Sequence, residues 1–325
     1  MKGLAAVMVI LALVSVAGAF EITLEGYDGG NVTVRLISLE NQNVSKEFTV
    51  QNSTLLIDNL ENGTYHVIVD YNGLRYTANI VVPETESLTV NFEKTDDVSV
   101  IEADNIHYIL NYDSSNGFFV VMEVLNLRNT GNQFFSGNFT KKLPEGVDHL
   151  FVDQQTLAQS GVYFENVTQG DDYIEIENLT VQPNGTFTLA FMYFTDADPV
   201  LIVDHPAKVL RVISPEFITV QLPENFVQEN TITNSEGVVY RVYRTDNVSS
   251  GSVFQLQAEV DQTQVSPTGT TQPGNSDSSG VDTTLLAGVA LIGAGVAILA
   301  YSRFSKKGEN GEEEEEDTGG WEIKE

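Results

Sequence analysis

The 325-residue chain contains no cysteine, so it has no disulfide, no thiol nucleophile and no thiolate metal ligand. Positive charge is scarce: 16 Lys and Arg stand against 46 Asp and Glu, a formal net charge of −30. Nucleic-acid binding depends on clustered cations that replace the counterions of phosphate, so this balance excludes DNA and RNA as partners. Histidine occurs four times, as His66, His107, His149 and His205, with no two at metal-ligand spacing. No Gly-x-Ser-x-Gly, His-Glu-x-x-His or phosphate-cradling glycine loop occurs. The sequence therefore assigns no catalytic residue, no cofactor and no metal ligand, and the chain reads as a non-enzyme. An envelope hydrolase built from scattered Ser, His and Asp is the enzymatic alternative.

Helical periodicity is missing from Glu21 to Val260, where apolar residues instead alternate with polar ones between Gly, Asn, Asp and Pro. Val32, Val34 and Leu36 share one face; Phe187, Leu189, Phe191 and Tyr193 share another; Phe254, Leu256, Ala258 and Val260 a third. Half-buried strands of this kind predict an all-β fold of tandem antiparallel sandwiches. By the same alternation His66 and His107 point away from their apolar neighbours and are expected on the surface.

The ends carry different signals. Lys2, an apolar run from Leu4 to Val16 and Ala17-Gly18-Ala19 predict a signal peptide over residues 1–19, cleaved after Ala19, with an uncleaved anchor as the alternative. Residues 283–301 form 19 uncharged, mostly apolar positions, about 28 Å as a helix, which predicts one transmembrane span. Arg303, Lys306 and Lys307 follow it directly, so the positive-inside rule places the C-terminus in the cytoplasm and residues 20–282 outside. The exterior part holds 37 acidic and 11 basic residues, which argues against adhesion to anionic lipid.

Between the ends, residues 20–94 make a first unit, 97–199 a second β-sandwich and 200–261 a further β unit, although 97–261 also reads as one larger unit. Residues 262–282, rich in Ser, Thr, Gly and Pro, form a flexible stalk, and residues 302–325 an acidic tail. The tail ends with the only tryptophan, Trp321, and with Ile323, a pair suited to docking a cytoplasmic partner.

Within the first unit, the run Leu56-Ile57-Asp58-Asn59-Leu60-Glu61-Asn62-Gly63-Thr64-Tyr65-His66-Val67, with Gly73 following and Gly26-Tyr27-Asp28-Gly29-Gly30 before Val32, resembles the carboxypeptidase regulatory-like domain. That resemblance implies a transthyretin-like β-sandwich and a non-catalytic accessory module, with no active-site residue.

Nine Asn-x-Ser/Thr sequons lie on the exterior side, at Asn31, Asn43, Asn52, Asn62, Asn138, Asn166, Asn178, Asn184 and Asn247. They predict a glycoprotein, although Asn62 and Asn184 also suit turn chemistry. Acidic pairs at Asp96-Asp97, Asp171-Asp172 and Asp196 with Asp198 could ligate calcium or simply be solvated loops. A cysteine-free exported β protein with sequons and a direct anchor leans toward an archaeal cell surface, with a bacterial one as the alternative. The expected role is structural or binding, as an accessory subunit of an envelope complex that contacts envelope protein, glycan or a membrane partner. An assembly or signal-relay factor acting through its tail is the second expectation.

Overall fold

A computed structural model describes residues 19–41, 45–234 and 237–263. The expected signal peptide, most of the stalk, the apolar span at 283–301 and the tail lie outside the described residues. Among the described residues, no helix is long and apolar enough to cross a membrane.

The first unit contains seven strands: β1 (Phe20–Glu25), β2 (Val32–Ser38), β3 (Ser45–Val50), β4 (Thr54–Ile57), β5 (Gly63–Tyr71), β6 (Leu74–Val82) and β7 (Ser87–Asn91). They form a three-stranded sheet, β4-β1-β7, and a four-stranded sheet, β3-β2-β5-β6. Val32, Val34, Leu36, Val67 and Val69 point between the sheets and are buried, as the alternation predicted. Asn72 and Gly73, at φ of 47° and 79°, supply the two left-handed residues of the tight turn that joins β5 to β6 with Tyr71 opposite Leu74.

The remaining strands build a larger unit. They are β8 (Lys94–Thr95), β9 (Ile101–Asp113), β10 (Phe118–Asn129), β11 (Phe134–Lys142), β12 (Asp148–Val152), β13 (Asn166–Gln169), β14 (Tyr173–Val181), β15 (Thr186–Thr195), β16 (Val200–Val203), β17 (Ala207–Pro215), β18 (Ile218–Gln221), β19 (Val227–Thr233), β20 (Val239–Val248), β21 (Ser252–Gln255) and β22 (Gln257–Val260). A short helix, α1 (Gln154–Gln159), is capped by Asp153, which accepts from Thr156 N–H, and buries Leu157. Seven strands in the order β12-β15-β10-β9-β17-β20-β19 form one sheet, and β13-β14-β11-β8 the sheet packed against it.

Of the two readings left open for 97–261, the structure matches the larger single unit: residues 97–199 and 200–261 share one sheet and one core, because β17 lies between β9 and β20. The expectation of purely antiparallel sandwiches is corrected. The sheets are mixed: β9 pairs with β17 in parallel, as do β1 with β7 and β8 with β11. Such pairings join strands distant in sequence, which period-two alternation does not encode.

The two units are bonded to each other. Phe134, at the start of β11, packs into the first unit's core and stacks on Phe92 at 5.9 Å. Gln182 exchanges hydrogen bonds with the Thr77 backbone, accepting from its N–H at 2.7 Å and donating to its carbonyl at 3.0 Å.

The outer face of the seven-stranded sheet carries a separate apolar cluster that includes Ile109, Val120, Met122, Met192, Phe194, Ile213 and Val242. Its described members come from strands of that sheet and from Val238 beside it, so the central strands are buried on both faces.

Candidate functional site

Alternation in β10 aims Phe119, Val121, Glu123, Leu125 and Leu127 into the sandwich interior, and Glu123 there is completely buried. In the opposing sheet β11 does the same with Phe135, Phe139 and Lys141, leaving Lys141 1% exposed. A carboxylate and an ammonium group thus occupy positions where the pattern calls for apolar side chains.

Lys141 Nζ donates to the carbonyls of Lys142 at 2.6 Å and Ile202 at 2.9 Å. It also lies 3.6 Å from Glu123 Oε2 and 3.5 Å from Asp204 Oδ2. Asp204 follows β16 and accepts the Lys142 backbone N–H on Oδ2 at 2.8 Å. Neither Glu123 oxygen makes a close hydrogen bond, although the Lys141 ammonium and the Tyr193 hydroxyl stand near enough to favour its charged form. The walls are aromatic: Nζ sits 5.8 Å from the centre of the Phe191 ring, and Phe191 and Tyr108 flank Glu123 in the neighbouring strands. The hydroxyls of Tyr108 and Tyr193 meet at 3.2 Å and both reach the Val200 carbonyl. His205 stacks on Phe139 at 4.6 Å.

Burial pushes the Glu123 carboxyl up to about 7, against the pull of the Lys141 ammonium. Burial also raises both tyrosines well above their ordinary value and lowers His205. The arrangement can therefore hold a proton on Glu123 near neutrality, beside an amine and a second carboxyl. A cavity of about 370 Å³ abuts the cluster, its lining including Pro144, Glu145, Tyr193, Asp198, Val200 and Gln255.

The sequence-predicted sites fall elsewhere. The sequon asparagines Asn31, Asn52, Asn62, Asn138, Asn166, Asn178, Asn184 and Asn247 are all exposed and are spread over both units. Asn43, Trp321 and Ile323 lie outside the described residues. Asn184 adopts a left-handed φ of 58° and bonds the Asn129 carbonyl through its N–H, so it does shape a turn. Asp97 caps the short 3-10 turn at Val98–Val100, and among the described residues no group of three His, Asp or Glu could hold a metal ion.

The histidines divide. His66 is half-buried and pairs with Asn79 at 2.8 Å; His149 is exposed. His107 does point away from the sandwich interior, but it is buried rather than on the surface because the outer face of its sheet is itself covered. Burial, aided by Arg211, lowers it to about 4.

The fold and site together define a two-unit all-β protein whose larger core contains a lysine between two carboxylates. No protein-family model matches the chain, and no curated protein matches it. Similar solved structures include the M1 zinc metallopeptidase from Deinococcus radiodurans, at 10% identity and a TM-score of 0.32. A mutant of that enzyme bound to a Tyr-Ser-Ala substrate has 11% identity and a TM-score of 0.32, and a two-domain M1 mutant bound to L-tryptophan has 12% and 0.31. Each match covers 48% of this chain and 42% of the other, so this chain spans less than half the length of those structures.

Proposed function

We propose that the chain is a non-enzymatic, single-pass cell-surface glycoprotein, probed from outside through two fixed β units and serving an envelope complex as a structural or accessory subunit. The observation that carries this reading is the exposure of all eight described acceptor asparagines on both units, where a transferase and its glycan would have access. The bonded junction at Phe134 and Gln182 favours a structural role, since it holds the two units as one body. The first unit's two sheets, of three and four strands, suit the carboxypeptidase regulatory-like assignment of residues 20–94.

The test is crosslinking in native membranes, followed by affinity capture and mass spectrometry, with glycopeptides read from the same sample. A stoichiometric envelope or membrane partner and occupied sequons are expected. A chain recovered inside the cell, unglycosylated and without an envelope partner, overturns the reading.

A further inference from the structure

The polar cluster in the larger core has three features that a stabilising ion pair does not require. The amine faces two carboxyl groups, at 3.5 and 3.6 Å. One of those carboxyls, on Glu123, is fully buried and makes no close hydrogen bond. The other, on Asp204, is polarised by the Lys142 N–H at 2.8 Å. Aromatic side chains line the inner side of the cluster, where the Lys141 and Glu123 side chains are 1% and 0% exposed, and Asp204 closes it at the partly exposed edge.

We propose that Lys141 and Asp204 are joined by an intramolecular amide bond that the fold itself forms, with Glu123 carrying the protons. Glu123 first relays one proton from the Lys141 ammonium to the Asp204 carboxylate, and Nζ then attacks Asp204 Cγ, forming the C–N bond while one Asp204 C–O bond breaks. The Lys142 N–H steadies the negative charge that develops on the Asp204 oxygen. In a second exchange Glu123 gives a proton to the departing oxygen and takes one from Nζ, so that it ends, as it began, a carboxylic acid. Two of the three ammonium protons leave with the oxygen as water, and the third stays on the amide. Nothing is oxidised or reduced, and no external reactant is needed.

The burial that lifts Glu123 to about 7 suits it to both halves of this exchange. Proximity supplies the rest, because the fold fixes amine and carboxyl near contact distance before the reaction. The bond would tie the end of β11 to the connection between β16 and β17, across 62 residues of sequence from Lys142 to Asp204. The inference concerns the core alone and stands apart from the cell-surface reading.

The test is tryptic digestion of the purified full-length protein, with fragment-ion mass spectrometry. The expected result is a branched product of residues 129–142 joined to residues 143–208, lighter than the two linear peptides by one water, with no cleavage after Lys141. Lys141→Arg abolishes the branch while keeping the positive charge. Asp204→Asn yields the same branched mass with ammonia leaving in place of water, a result that an ion pair cannot give. Glu123→Gln slows branching at least 10-fold during refolding, which separates proton transfer from packing because the amide side chain fits the same space. Quantitative recovery of both linear peptides from folded, protease-resistant wild-type protein overturns the proposal and leaves only a buried ion cluster. A branch that maps to residues 95–128, which contain Glu123, overturns the assignment of Asp204 as acceptor.

Discussion

The two units solve the problem of a β core differently. The smaller fills its interior with Phe20, Ile22, Val34, Leu36, Val67 and other apolar side chains and places no charge among them. The larger has more apolar material yet keeps Lys141 and Glu123 at inward positions. Desolvating an ammonium and a carboxylate costs several kcal/mol per ion, and replacing such a pair with apolar residues of similar volume is often neutral or stabilising. The smaller unit demonstrates that this sequence can complete a β-sandwich without buried charge. The charged cluster is therefore accounted for by what it does rather than by stability alone.

Variants can break the contrast or erase it. The largest effect is expected from Lys141→Ala, which removes both the amide link and the amine beside Glu123 and frees the Asp204 carboxylate; a loss of at least about 3–5 kcal/mol in denaturant unfolding is expected. Making the larger core resemble the smaller, with Lys141→Met and Glu123→Leu together, should recover in the same assay the part of that loss that comes from unpaired buried charge but not the part that comes from the missing link. In the smaller core Leu36→Ala should cost about 3 kcal/mol through a cavity alone, with no dependence on pH.

pH separates the two units further. Glu123 holds its proton more tightly folded than unfolded, so its contribution is full below about pH 4.5 and is lost as pH rises through about 7. The loss is on the order of a few kcal/mol and should vanish in Glu123→Gln when urea midpoints are compared between pH 5 and 8. His107 has the opposite sign: its lowered value makes stability fall as pH drops from about 6.5 toward 4, and His107→Gln should flatten that limb. The smallest effect is at the junction, where Gln182→Ala removes two hydrogen bonds to Thr77, costing about 1–2 kcal/mol and loosening the coupling between the units' thermal transitions.

Much of the architecture was legible in period-two alternation. The faces of Val32 to Leu36 and of Phe187 to Tyr193 came out as the spacing predicted. What alternation omits is whether a face is covered, and His107 is the instance: it points outward in parity, yet its sheet is buried on both sides. It also omits long-range neighbours, so the parallel pairing of β9 with β17 was hidden and the choice between one unit and two over 97–261 stayed open.

The candidate site was in fact encoded. Glu123 shares parity with Phe119, Val121, Leu125 and Leu127, and Lys141 with Phe135 and Phe139. A charge in phase with its strand's apolar residues is the signal, and it is lost when Phe118 to Leu127 is read simply as an apolar run. Asp204 had no such mark, because a loop has no parity to violate.

Phe134 has a consequence for the order in which the protein matures. The first unit's last strand ends at Asn91, yet its core is completed only by a ring that the chain supplies after all of β9 and β10. As the polypeptide is made from its N-terminus, the leading unit has Tyr71 against Phe92 from the start but lacks the ring that stacks on its other side until the trailing unit is made. A fragment cut at residue 94 would carry a hole where its neighbour's phenylalanine belongs.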